Sequence, residues 1–163
     1  MTHSRAVREE KMNSILCVGD LLKRADEFER QLEKFYATIR DETKDSGVRL
    51  LTYYLARHCS HLKQALDDFS LGEIGPICEE RLECTVGYPD ARQLRIIETD
   101  PATVHGRELL ECAVNHDGAL IGLYQSILDQ PLSEGAASLF ESLIRIEEGD
   151  VVMLKKMIAM DYF

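Results

Sequence analysis

Long apolar runs are missing from this sequence. No uninterrupted stretch approaches the roughly 18 apolar residues that a membrane-spanning helix requires, so we expect no transmembrane segment. Residues 1–11 are mostly polar or charged and lack the apolar centre of a signal peptide. We therefore expect a cytoplasmic protein.

Closely spaced cysteines are missing as well. The five cysteines are scattered along the chain and none belongs to a C-x-x-C pair: Cys17, Cys59, Cys78, Cys84 and Cys112. This spacing excludes a zinc ribbon and a rubredoxin-type iron site. Reduced thiols, as in a cytoplasm, are the expected state.

Positive charge is scarce. The 19 Lys and Arg residues are outnumbered by 29 Asp and Glu residues, which gives a net charge of -10. Binding of nucleic acid requires clustered Lys and Arg to neutralise phosphates, and an anionic lipid surface attracts the same residues. We therefore expect neither a nucleic-acid partner nor a membrane partner. At 163 residues and 45% hydrophobic composition, the chain is long enough for one globular domain with a full core.

Apolar residues at spacings of three and four predict four long helices. Their expected ranges are 20–43, 48–68, 100–128 and 134–160. Short turns join the first two helices and the last two, and residues 69–100 form a long crossover. The crossover is expected to contain one short helix at Ile77–Val86 and no convincing strand. The sequence thus predicts an all-α fold, an antiparallel four-helix bundle of two hairpins over residues 20–163, preceded by a polar segment at 1–19.

Six ionisable side chains interrupt the apolar stripes of these helices. One lies in each of helices one and three, and two lie in each of helices two and four: Glu29, His58, His61, Asp117, Glu147 and Asp150. The three-residue spacing of His58 and His61 places both rings on one face of the predicted helix. Each of the six lies roughly 11 to 18 residues from its hairpin turn, so at about 1.5 Å per residue they should meet near the middle of the bundle.

The two halves of the chain repeat this spacing. Glu29 precedes Tyr36 by the same interval as Asp117 precedes Tyr124, at a shift of 88 residues. The histidine pair of helix two corresponds to the acidic pair of helix four at a shift of 89 residues. The repetition predicts one arrangement of interior polar groups rather than scattered surface charges. His116 and Glu148, each next to a candidate ligand, are expected to face elsewhere and to lie at the surface or just outside the ligands.

The buried charges need compensation. An isolated ionised carboxylate in a protein core costs several kcal/mol, so these groups must take up protons, pair with one another or bind a cation. Carboxylates around two imidazoles suit a divalent metal, with iron favoured and manganese or zinc as alternatives. A metal-free network of charge-assisted hydrogen bonds, with the histidines paired to the carboxylates, is the other interpretation. The sequence leaves both open.

The pattern resembles the ferritin-like superfamily, in its rubrerythrin and bacterioferritin branch. That family has a Glu in helices one and three and an E-x-x-H motif in helices two and four. Glu29, His61 and Glu147 match the pattern in residue type. His58 replaces a metal-bridging Glu. Asp117 stands in place of a Glu, and Asp150 stands in place of the second His.

The resemblance implies a metal site of one or two ions that reacts with dioxygen or peroxide, in an oxidoreductase or an iron-handling protein. The six residues named above are the ligand candidates that it implies. The alternative function is a metal-free helical bundle that acts as a structural or interaction module. We expect a homodimer, formed through an exposed helix face with the apolar segment 157–163 as a candidate contact.

Overall fold

A computed structural model describes residues 15–86, 88 and 100–161. These residues are mostly helical, which confirms the prediction of a predominantly helical protein. The elements are β1 (Ile15–Cys17), α1 (Val18–Glu42), α2 (Ser46–His58), α3 (His61–Leu66), α4 (Leu71–Glu79), β2 (Arg81–Val86), α5 (Gly106–Leu128) and α6 (Glu134–Ala159). Within the described ranges, no helix is both long enough and apolar enough to cross a membrane. Residues 1–14 of the predicted polar segment lie outside the described residues.

Polar side chains determine where several helices begin. Asp45 Oδ1 accepts from the backbone N–H groups of Gly47 and Val48 at 2.8 and 3.3 Å, so α2 begins directly after the turn. In α1, Asp20 accepts from the backbone N–H of Cys17 at 3.2 Å. Asp20 therefore lies inside the first turn, and α1 begins at Val18, two residues before the predicted start at residue 20.

The predicted second helix is interrupted between its two histidines. The sequence predicts one helix over 48–68, but α2 ends at His58 and α3 begins at His61. Ser60 has φ -86° and ψ 45°, outside the helical region, so the helical hydrogen-bond pattern cannot continue through it. The prediction that His58 and His61 share the face of one continuous helix is therefore wrong.

The crossover contains a strand where a helix is predicted. Instead of one helix over Ile77–Val86, α4 ends at Glu79 and β2 begins at Arg81. β2 pairs antiparallel with β1, and the backbone N–H of Val18 donates to the carbonyl of Glu80 at 2.9 Å beside this pair. The alternation of polar and apolar residues in R-L-E-C-T-V is a local strand signal, but the partner strand lies far away in sequence. The third of the predicted long helices corresponds to α5. It starts at Gly106 rather than at residue 100, because residues 101–103 form a turn.

The helices enclose one apolar core. α5 and α6 make the most extensive contact, α1 packs against α2 and α4, and the short α3 lies against α6 and α1. Tyr124 and Phe140 are fully buried between α5 and α6, with ring centroids 5.9 Å apart. This packing is compatible with a helical bundle, and it places the first residue of α3 beside the centre of α6.

Candidate metal centre

His61, the first residue of α3, lies at the centre of a buried polar cluster. The residue is 7% exposed, and its Nδ1 lies 2.7 Å from Glu147 Oε1. On the opposite side of the ring, Nε2 contacts Asp150 Oδ2. Glu147 and Asp150 are three residues apart on α6 and so project from the same face. One imidazole therefore joins α3 to α6 through both of its nitrogens.

The hydrogen bonds of His61 control its charge. Burial lowers the pKa of His61, but the hydrogen bonds to Asp150 and Glu147, together with the charges of these carboxylates, raise the pKa to about 10. At neutral pH the ring is therefore an imidazolium with two N–H donors.

Asp117, on α5, completes a group of three. His61, Asp117 and Glu147 each offer one ligand-type atom, and these atoms all lie within 4.8 Å of one another. Burial first, and the nearby Glu147 carboxylate second, raise the pKa of Asp117 well above its usual range. The three residues come from α3, α5 and α6, so the tertiary fold rather than a local motif brings them together.

Glu147 carries an unsatisfied acceptor. The residue is 1% exposed, and its Oε1 is hydrogen-bonded to His61. Its other oxygen, Oε2, is buried and has no hydrogen-bond partner in the part of the chain that the structure describes. A buried carboxylate oxygen needs a donor or a cation, and either a protonated Asp117, whose raised pKa includes a hydrogen bond to Glu147, or a metal ion would supply it.

Glu29, on α1, reaches the cluster from another side. Its Oε1 accepts from the backbone N–H of Leu62 at 2.8 Å. Burial raises the pKa of Glu29 to about 7, although the Leu62 N–H and the positive charge of His61 act in the opposite direction. Near neutral pH this carboxyl is therefore divided between its two protonation states.

His58 lies at the outer end of the cluster. Its side chain is 42% exposed, and its Nδ1 is 3.6 Å from Asp150 Oδ1. The ring packs on Tyr54 with centroids 4.3 Å apart. The structure thus separates the two histidines, since His61 is buried and His58 is largely at the surface.

All six candidate residues line one cavity, with a volume of about 30 Å³. This volume is enough for an ion or a water molecule or two, but it is too small for an organic substrate. Within the described ranges, the group of atoms within 4.8 Å contains His61, Asp117 and Glu147 but not Glu29, His58 or Asp150. The structure therefore brings three of the six residues close enough together to bind one ion, and it arranges the other three around them.

The other residues that line the cavity include two polar ones that sequence reasoning missed, one on α5 and one in the crossover. His116 is 1% exposed and its ring is edge-on to Phe28, with centroids 5.9 Å apart, so the prediction that it faces elsewhere is wrong. Its position three residues after Ala113 and four before Leu120 is a core position, and this signal could have identified it.

Tyr88, in the crossover, is the other missed residue. Its hydroxyl lies 3.2 Å from the hydroxyl of Tyr124, and burial raises the pKa of both tyrosines above the usual range. Tyr88 follows the alternating segment of β2, but nothing in the local sequence shows that it lies beside Tyr124.

No protein-family model, no curated protein and no solved structure matches this chain. Functional conclusions therefore depend on the chemistry of the residues themselves.

The donor set fits a divalent cation. One imidazole nitrogen and two carboxylates are common ligands for iron, manganese and zinc, and Glu147 Oε2 is an acceptor that lacks a partner. A cation and a proton compete for His61, because the cation would have to replace the proton on one of the ring nitrogens. The carboxylate on the opposite nitrogen is compatible with this exchange, since metal-bound histidines usually donate their second N–H to such a group.

Proposed function

We propose that this protein is a ferritin-like helical bundle that binds one divalent metal ion through His61, Asp117 and Glu147. The observation that supports it best is the convergence of these three side chains, from three helices, within 4.8 Å in the core. Mixed nitrogen and oxygen ligation favours ferrous iron, with manganese and zinc as the alternatives.

The remaining polar residues have distinct roles in this proposal. His61 binds through Nδ1, the nitrogen that faces Glu147, while Asp150 accepts the N–H of Nε2 and fixes the tautomer and the orientation of the ring. His58 contacts Asp150 from the surface side and is not a ligand. The proposed site is therefore mononuclear.

Charge balance also supports a divalent cation. Two ionised carboxylates, Asp117 and Glu147, would neutralise the charge of the ion. To bind, the ion must displace the protons that the cluster holds on His61 and Asp117. Metal and protons are therefore alternative means of compensating the same buried groups.

The activity that follows is oxidoreductase chemistry or iron handling, as the ferritin-like resemblance implies. A redox-active ion held here would supply the reaction with dioxygen or peroxide. Leu32, Leu55 and Leu120 contribute apolar surface to the lining of the small cavity. A volume of about 30 Å³ restricts the reactant to a small oxidant.

Metal loading tests the proposal. Chelator-treated protein would be dialysed anaerobically against Fe(II), Mn(II) or Zn(II) and its metal content measured by inductively coupled plasma mass spectrometry. We expect about one ion per chain, and near-complete loss in His61→Ala, Asp117→Asn and Glu147→Gln. Glu141→Gln, which changes an exposed carboxylate on the same helix as Glu147, should bind like the wild type. Equal binding by all variants would refute the site.

A second candidate is a metal-free bundle that acts in association. The observation that favours it is the engagement of both His61 nitrogens by carboxylates, which stabilises the cluster through protons alone. The exposed side chains of Leu50, Met153 and Met160 line an apolar groove between α2 and α6, which supports a homodimer through this face. Sedimentation velocity would show a dimer that dissociates in Met153→Lys, and a monomeric wild type would contradict it.

A further inference from the structure

Helix α3 begins without a cap of its own. Its N-cap residue, Ser60, makes no side-chain capping hydrogen bond. The first N–H groups of any helix lack partners within the helix, and a buried one needs an acceptor from elsewhere. Glu29 provides this acceptor from α1, because its Oε1 accepts the backbone N–H of Leu62 at 2.8 Å across 33 residues of sequence.

This hydrogen bond acts directly beside the candidate site. Leu62 follows His61, so an anchor on the Leu62 N–H restrains the backbone that carries the imidazole. The break at Ser60 removes the support that a continuous helix α2 would give. His61 meanwhile has to meet Glu147 at 2.7 Å on one side and Asp150 on the other. Such close contacts on both sides require a fixed backbone position.

We propose that Glu29 is a positioning residue that caps α3 and thereby aligns His61 with Glu147, and that it is not a metal ligand. Two observations support this role. The oxygen nearest α3 is already hydrogen-bonded to Leu62, and Glu29 does not belong to the described group of atoms within 4.8 Å. The role differs from the ligand role that the ferritin-like resemblance implies for this position.

Two substitutions at position 29 separate capping from ligation. Glu29→Gln keeps an acceptor oxygen at the same length but has no carboxylate for a metal, whereas Glu29→Ala removes both. Glu33→Gln, an exposed position one turn further along α1, is the matched control. In metal-free protein, amide hydrogen exchange at Leu62 and the ring ¹⁵N shifts of His61 report on capping. A metal titration, which depends on the proposed function, reports on ligation.

If Glu29 is a cap, Glu29→Ala should speed exchange at Leu62 about tenfold and shift the His61 ring signals, while Glu29→Gln resembles the wild type. The metal affinity should likewise fall about tenfold in Glu29→Ala and stay within about threefold in Glu29→Gln. If Glu29→Ala does not fold, Glu29→Asp supplies the comparison, since its oxygen is one methylene short of Leu62.

Two results would overturn the proposal. Unchanged Leu62 exchange and His61 shifts in Glu29→Ala would remove the capping role, whether or not metal binds. Equal loss of metal affinity in Glu29→Gln and Glu29→Ala, with Leu62 still protected in the former, would make Glu29 a ligand. If the wild type bound no metal, the proposed function would fail, and the metal-free measurements would still decide the capping role.

Discussion

Raising the pH should destabilise the metal-free protein. The folded state holds the His61 pKa at about 10, against an ordinary value of 6.5, and the Glu29 pKa at about 7, against 4.5. Asp117 is shifted in the same upward direction. For all three groups the folded state binds more protons than the unfolded state. Stability is therefore highest below the ordinary pKa values and falls as the pH rises through the folded-state values.

The size of the effect follows from the number of protons. Between pH 6.5 and 8, His61 and Asp117 each keep most of a proton that the unfolded chain has released, and Glu29 keeps part of one. Roughly two protons at about 1.4 kcal/mol per proton and pH unit give a loss of roughly 2 to 3 kcal/mol per pH unit. This loss is a large fraction of the about 5 to 15 kcal/mol by which domains are usually stable.

Urea unfolding followed by circular dichroism, in chelator-containing buffers at pH 6.5, 7.25 and 8, would measure this slope. Asp117→Asn removes one of the titrating groups, so its slope should be smaller by about 1.4 kcal/mol per pH unit. Glu141→Gln, at an exposed site, should keep the slope of the wild type. A metal-free wild type whose stability is constant or increases over this range would refute the proposed protonation of the cluster.

Three further results are expected. Metal binding near pH 7.5 should release roughly two protons, measurable by isothermal titration calorimetry in two buffers of different ionisation enthalpy. No release would mean that the metal does not displace the protons of His61 and Asp117. Gly19→Ala should destabilise by about 1 kcal/mol or more because a Cβ would lie 3.0 Å from the Cys78 carbonyl oxygen, whereas Gly122→Ala in α5 has open space and should stabilise by up to about 1 kcal/mol. In thermal unfolding, a Gly19→Ala protein that melts above the wild type, or a Gly122→Ala protein that melts below it, would contradict this packing. Asp45→Ala should lower the unfolding free energy by about 1 kcal/mol, and Asp45→Asn should restore most of it, because the amide oxygen can still cap α2.

The sequence predicts the long helices well where their signals are local. The prediction for α6 was 134–160 and the structure has Glu134–Ala159, since Ser133 caps its start and the apolar spacing is unbroken. The interior positions of Asp117 and Glu147 also follow from local spacing, because each replaces an apolar residue in a buried stripe.

The errors occur where distant residues decide the structure. The helix that follows the break takes a hydrogen-bond acceptor from α1, and the β1–β2 pair depends on two segments far apart in sequence. The same break explains why His58 and His61 differ in exposure, which helical spacing alone could not show. Tyr88 reaches the cavity from the crossover, far in sequence from the helices that hold the site, so only tertiary structure reveals its place there.

The most direct test of the metal site is anomalous X-ray diffraction from crystals grown with Zn(II), Mn(II) or anaerobic Fe(II), recorded on both sides of the absorption edge of the metal. The account predicts one strong anomalous peak between His61, Asp117 and Glu147, with Asp150 still on the far nitrogen of His61. A core without a peak at full metal occupancy in solution, or a peak only on the surface, would contradict it.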